Sequence, residues 1–361
     1  MTNPPESHFP SDYRAARAAF IAAAEGAGLG VTSRVHPSAT GKDGKPLFLD
    51  TAVAGPRAAK SALLLICGTH GVEGYFGSGV QTGLLREGVA RRVPADAKLV
   101  MLHALNPFGF SWDRRVNEDN ADINRNFVNH AAPPVNEDYA RLADAIAPQD
   151  ISRDAMKAAN ARLRAYAKAH GDFALQAALS SGQYFFPQGL YYGGARESWS
   201  AAMLKDVLRE ELAGVETLVA VDFHTGLGEP GAAEMIIEDM PGTPAYIRAK
   251  ALWGARVHST GEGTSVSAPL TGTVDSAVAD WLAGKGVTFG ALEVGTKPVR
   301  DVFEALRKDN WLHFYGGPGN PDADVIKRQI RDAFYPDTPD WKRQVWRHAH
   351  DVVSLALDAI A

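Results

Sequence analysis

The chain has 361 residues, 45% hydrophobic and 22% charged, with a formal net charge of −5 at pH 7. That is the make-up of an ordinary globular protein with ample material for a core. The acidic balance argues against general attraction to nucleic acid or anionic lipid, and no apolar run approaches the roughly 20 residues of a membrane span.

One cysteine, Cys67, permits no intramolecular disulfide and fits a reducing compartment. The start of the chain has no cationic stretch followed by an apolar one, so a cytoplasmic location is expected. No repeat or low-complexity linker divides the sequence, and a single domain over residues 1–361 is expected, with a mainly helical excursion around 133–214.

In chain order, alanine-rich residues 11–27 have apolar positions at helical spacing and end at Gly28-Leu29-Gly30, which predicts a helix. Two short strands follow over 31–36 and 46–53, separated by the turn Gly41-Lys42-Asp43-Gly44. Residues 62–67 form a continuous apolar strand that ends in Gly68-Thr69-His70-Gly71-Val72-Glu73, and a helix is expected over 77–86. Further buried strands are read at 98–105, 217–223 and 287–292, with excursion helices at 136–146, 155–169 and 198–212. Residues 298–361 read as helical, with 341–361 closing against the sheet. Apolar strands alternating with helices predict an α/β fold whose mixed, mostly parallel central sheet is covered by helices on both faces.

In such sheets ligands bind beyond the carboxyl ends of the strands. Four strands converge there in this sequence. The first is followed by His70 and Glu73, and the second by Asn106-Pro107-Phe108-Gly109, Arg114-Arg115 and the run from Asp122 to Phe127. The third closes on His224 and the fourth on Glu293-Val294-Gly295. Two imidazoles and a carboxylate, His70, Glu73 and His224, are the donor set of a hydrolytic zinc site that keeps a position for water. Glu293 is left over to take a proton from that water and return it to a leaving nitrogen. An arginine of the Arg114-Arg115 pair suits a developing oxyanion. Arg125 offers a planar fork for a substrate carboxylate, and Asn124 adds a neutral donor.

Neighbouring residues have plainer readings. Asp222 shares a strand face with His224 and suits the orienting of its ring, or an ordinary ion pair. His103, inside a strand, reads as a core histidine, and His348 and His350 point apart on one helix. Tyr191 and Tyr192 read first as packing aromatics.

Taken together, GTHGVEG, NPFGF with RR and DINRNF, VDFHTGLG and ALEVGT resemble the zinc carboxypeptidase-like metallopeptidases, within them a bacterial branch described only as a domain of unknown function. The resemblance runs from the first buried strand to Glu293. It implies an eight-stranded mixed sheet and one Zn²⁺ held by His70, Glu73 and His224. It further implies Glu293 as general base, Arg115 or its neighbour Arg114 at the oxyanion, and Asn124 with Arg125 on a terminal carboxylate. Glu293-Val294-Gly295 is closer to the aspartoacylase and succinylglutamate desuccinylase branch. A small peptide and an N-acyl amino acid are therefore rival substrates, and the tyrosine that closes over substrate in carboxypeptidases has three candidates: Tyr191, Tyr192 and Tyr315.

A serine hydrolase would need Gly-x-Ser-x-Gly, which is absent. Residues 226–231 match Gly-x-Gly-x-x-Gly, but a strand-like stretch follows where a dinucleotide site needs a helix. A non-catalytic metal- or ligand-binding module is the other alternative, against which Glu293 stands.

Overall fold

The computed structural model describes residues 4–317 and 319–361. Its strands are β1 (Val31–Thr40), β2 (Pro46–Ala54), β3 (Ser61–Cys67), β4 (Ala97–His103), β5 (Thr217–Thr225), β6 (Ala233–Ile237), β7 (Val257–Ser259) and β8 (Gly286–Val294). They form one sheet in the order β1-β2-β4-β3-β5-β8-β6-β7. The four central strands, β4-β3-β5-β8, run parallel, while β1, β2 and β6 join antiparallel to a neighbour. The expected mixed, mostly parallel sheet is therefore present.

Helices cover both faces. On one side α1 (Tyr13–Gly26), α2 (Gly74–Arg86), α8 (Pro244–Trp253) and α12 (Pro339–Ala359) pack on the odd-numbered residues of β3 and β5, such as Leu63, Leu65, Val219 and Val221. On the other, α7 (Trp199–Leu212) and α9 (Val274–Trp281) pack on the even-numbered ones, Leu64, Ile66, Leu218 and Ala220. Both faces of β3 are buried, which is why its sequence is continuously apolar where a half-exposed strand would alternate.

A third apolar cluster lies past the strand ends, built by α4 (Glu137–Ile146), α5 (Arg153–His170), α6 (Asp172–Ser180), α10 (Val299–Trp311) and α11 (Ala323–Phe334) around Val72. The region read as a helical excursion supplies half of it. Asn136 and Ser198, taken as first helical residues, instead cap α4 and α7 by accepting the N–H of Tyr139 and Ala201. The short β7 and the helices α6, α8 and α9 had no distinct sequence signal.

Several strands run further than expected, and in β5 and β8 the extra residues matter. β5 continues through His224 and Thr225, and β8 through Glu293 and Val294, so both candidate side chains sit on strand backbone. Their register is direct: His224 pairs with Glu293 and Asp222 with Ala291. By the period of two, Asp222, His224, Ala291 and Glu293 point to one side of the sheet.

Candidate metal centre and active site

The turn after β3 is built for close approach. Gly68 has φ +70°, and a Cβ on Gly71 would lie 2.1 Å from the carbonyl carbon of Gly109 in the short helix α3 (Pro107–Ser111). Asn106 caps α3 by accepting the N–H of Gly109. The backbone N–H groups of Gly71 and Val72 donate to the carbonyls of Arg115 and Arg114, at 3.0 and 2.8 Å. Those bonds fix the arginine pair against the His70–Glu73 turn and decide which way each side chain leaves.

Glu73 stands between the two histidines. Its Oε1 lies 2.9 Å from His70 Nδ1 and its Oε2 3.0 Å from His224 Nδ1, while the two Nδ1 atoms are 3.2 Å apart. Donor atoms of the three residues all lie within 4.8 Å of one another, and all three side chains are buried. Each imidazole has its far nitrogen on a carboxylate, His70 Nε2 on Asp122 Oδ1 at 3.1 Å and His224 Nε2 on Asp222 Oδ2 at 2.9 Å. With those Nε2–H bonds made, both Nδ1 lone pairs face each other and the Glu73 oxygens. Four electron-rich atoms turned inward repel unless a cation lies among them, so the donor set fits a divalent metal.

Electrostatics point the same way. Burial opposes ionisation of Glu73, yet His70 and His224 outweigh it and hold the carboxyl well below its usual range. Burial likewise opposes charge on His224, but Asp222 and Glu73 raise its pKa well above the ordinary value. The pocket holds a proton tightly where a metal would sit, and the two compete for the same nitrogen.

Arg115 closes the cluster, donating from Nη1 to Glu73 Oε1 at 3.1 Å and from Nε to Asp122 Oδ2 at 3.0 Å. Arg114 leaves in the opposite direction. It donates to Asp309 Oδ2 at 3.1 Å and Asn120 Oδ1 at 3.0 Å, in a buried network outside the metal-ligand group. Of the adjacent pair, only Arg115 borders the cavity described next.

That cavity, of about 170 Å³, opens on His70, Glu73, His224, Glu293, Asn124 and Arg125 together. Glu293 accepts the N–H of Leu227 at 2.8 Å on Oε1, and its Oε2 has no hydrogen-bond partner among the described residues. Burial, then the negative charge of Glu73, pushes its pKa up to about 8 against the pull of His224. The glycine-rich loop of residues 226–231 thus orients a carboxylate. Arg125 is itself braced, with Nε and Nη2 on the Ser180 carbonyl at 2.9 and 2.7 Å and Nη1 on the Asn124 carbonyl at 2.6 Å. The remaining N–H groups of its fork stay available. Asn124 accepts the N–H of Val274 at 2.8 Å through Oδ1, leaving its amide NH₂ as donor.

Of the three tyrosines, Tyr191 borders the cavity, with φ +54° and its ring 5.6 Å from the Arg115 guanidinium. Tyr192 is buried and its carbonyl accepts the N–H of Asp122, while Tyr315 donates to Gln188. His103 is a core residue on Ser78 Oγ at 2.9 Å, stacked on Phe20. Sequence reasoning passed over Asp122, which holds both His70 and Arg115, and Thr69, whose hydroxyl donates to Asp222 at 2.8 Å. Both lie inside quoted motifs, and proximity to a candidate ligand was the available signal.

A family profile described as "Protein of unknown function (DUF2817)" matches residues 9–348. No curated protein matches the chain. Among solved structures it is similar to a metallo-carboxypeptidase from Burkholderia cenocepacia, at 14% identity and TM-score 0.48, over 98% of this chain and 71% of that one. It is also similar to a succinylglutamate desuccinylase from Silicibacter sp. TM1040 (15% identity, TM-score 0.40, 80% of this chain and 67% of that one). An aspartoacylase family protein from Mesorhizobium loti gives 14% identity and TM-score 0.39 over 80% of this chain and 67% of that one.

Proposed function

The chain belongs to the DUF2817 family, and we propose that this member is a zinc-dependent hydrolase that cleaves an amide bond beside a carboxylate. The observation that carries the reading is the convergence of His70, Glu73 and His224, each imidazole backed by a carboxylate, with Glu293 on the adjacent register position of β8. His70, Glu73 and His224 would hold a zinc ion, which would supply Lewis-acid activation of a water molecule and of the substrate carbonyl.

The chain's own residues do the rest. The free oxygen of Glu293 takes a proton from the attacking water, and the same proton passes to the leaving nitrogen as the carbon–nitrogen bond breaks. A carboxylic acid and an amine result, with one water consumed. Arg115, fixed by Glu73 and Asp122, presents its guanidinium to the negative charge that builds on the carbonyl oxygen without needing to move. Asn124 and the free edge of Arg125 hold the carboxylate next to the scissile bond.

A peptide and an N-acyl amino acid both present that amide. The peptide is the first reading, and the resemblance of Glu293-Val294-Gly295 to the deacylase branch keeps the N-acyl amino acid as its rival. Zinc-loaded protein assayed on short dipeptides and N-acyl amino acids tests the reading: turnover lost to a chelator and restored by zinc is expected. One equivalent of bound zinc with no turnover of either class would replace the hydrolase by a binding module.

A further inference from the structure

Away from the metal ligands, the same cavity runs down the face of β8. Glu293, the small Ala291 and Phe289, alternate residues of that strand, all border it. β6 pairs antiparallel alongside, Ile236 opposite Ala291, so Glu238, two residues past Ile236, comes to the same side of the sheet and borders the cavity. Next to it stands Asp275, in the first turn of α9. The N–H of Val274 on the Asn124 side chain pins that turn beside Arg125.

These two half-buried acids have hydrogen bonds but no ion pair among the described residues. Glu238 accepts one hydrogen bond, from the Thr273 hydroxyl at 3.0 Å, and makes no ion pair among the described residues. Asp275, half-buried, takes a hydrogen bond from the backbone N–H of Glu238, makes no ion pair among the described residues, and borders the cavity. Asp239 adds a third negative charge close by. Arg125, the nearby cation, has three N–H groups committed to backbone carbonyls. Burial first raises the pKa of both acids; Glu238 and Asp239 add to it at Asp275, and Asp239 does so at Glu238 against the pull of Thr273 and Arg125. A metal ion is not the missing charge: among the described residues the group that brings three ligand atoms together is His70, Glu73 and His224.

We infer that Glu238 and Asp275 form a specificity pocket for a cationic side chain, the ammonium or guanidinium of a basic amino acid whose own carboxylate rests on Arg125. The inference builds on the hydrolase reading and adds the substrate class. Half-buried acids of like charge facing one cavity repel each other, and a cation delivered by the substrate relieves that repulsion only in the complex. Arg125 with Asn124 and the acid pair then read both charges of a zwitterionic or dibasic end group, carboxylate on one wall and cation on the other. The wall facing α10 carries Val302, Phe303 and Leu306, with Leu179 from α6, and is apolar where it meets the acyl part.

The test uses the zinc-loaded full chain with lysine and norleucine, which differ by the terminal amine. Calorimetric titration of each free amino acid is paired with hydrolysis of acetyl-lysine, acetyl-norleucine and the corresponding glycyl dipeptides, whose relative rates separate the acyl and peptide sources. Lysine is expected to bind roughly 10-fold to 100-fold tighter than norleucine, with a matching ratio in kcat/KM. In Asp275→Asn and in Glu238→Gln the ratio falls toward unity; two variants guard against one that fails to fold. A purely structural role for these acids would weaken both ligands alike and leave the ratio intact, which overturns the inference. Equal binding of lysine and norleucine by the unmodified chain overturns it too, even if both acetyl substrates are hydrolysed and the hydrolase reading stands. Selective lysine binding without any hydrolysis upholds the pocket and removes the hydrolase.

Discussion

The two ends of the cavity handle charge in opposite ways. At the β3–β5 end the acids around the two imidazoles have charged counterparts: Glu73 lies between both imidazoles and Arg115, Asp122 takes His70 and Arg115, and Asp222 takes His224 and Thr69. At the β6–α9 end Glu238 has a single hydroxyl and Asp275 the backbone N–H of Glu238, and neither makes an ion pair among the described residues. The first end is held rigid by its own bonds, which suits chemistry, where groups must stay in place as charge develops. The second keeps its charge unmatched. An unmatched charge facing a cavity is a request for a ligand, and a matched one is a scaffold.

The contrast breaks most visibly at the scaffold. His224→Ala removes a ligand and strands Asp222 and Glu73 without their imidazole, so bound zinc, measured by metal analysis of dialysed protein, should fall from one equivalent to trace levels with complete loss of turnover. Stability should drop by about 3 kcal/mol in denaturant titration, the usual range for stripping one partner from a buried charged network. Retained zinc would refute the ligand assignment. Next in size is Glu293→Gln, which keeps the Leu227 contact on an amide oxygen but cannot carry a proton. A fall in kcat of about 10³-fold with zinc content unchanged is expected, and undiminished turnover would remove Glu293 from the reaction.

Much of the scaffold was readable in the sequence, and physics explains which part. His70 and Glu73 share one turn marked by glycines, and His224 and Glu293 follow apolar strands whose buried faces fix their register. Those are local signals. The choice between Arg114 and Arg115 was not, because neighbouring identical side chains differ only through the backbone bonds from Val72 and Gly71 that aim them. Asp122 lies 52 residues from His70, and nothing nearby in sequence reveals the meeting. Glu238 and Asp275 were invisible for a deeper reason. In sequence, an acid after a strand or in the first turn of a helix reads as solvated or as favouring the helix dipole; only the antiparallel return of β6 beside β8 puts Glu238 over a cavity. The fold class, carried by the four apolar strands, was legible throughout, whereas the ligand-facing wall depended on contacts made at long range.

At the junction of the two ends, Arg125→Ala should act on KM and spare kcat. The Arg125 contact with a substrate carboxylate is present in ground and transition states alike, so its loss should raise KM by roughly 10-fold or more with little change in kcat. An equal fall in kcat would mean that Arg125 acts on the reacting carbonyl, and the division between scaffold and ligand-reading wall would have to be redrawn there.

The smallest effect is the most discriminating, because it distinguishes the two ends by pH. The groups facing Asp275 are Glu238 and Asp239 at the end of β6, both negative, with the cationic Arg125 acting on Glu238. Burial first, and then these acids, raise the Asp275 pKa, so its charge is present above that raised value and is lost as pH falls through it, earlier in an acid titration than for an exposed aspartate. The preference for lysine over norleucine should therefore shrink several-fold as pH is lowered, and Asp275→Asn should flatten the profile. Because both ligands share the same carboxylate and the same contact with Arg125, any titration at the metal end affects them equally and cancels in the ratio. A ratio that stays constant with pH in the unmodified chain would show that the wall is neutral throughout, and that its acids are stabilised by sharing protons and not by waiting for a cation.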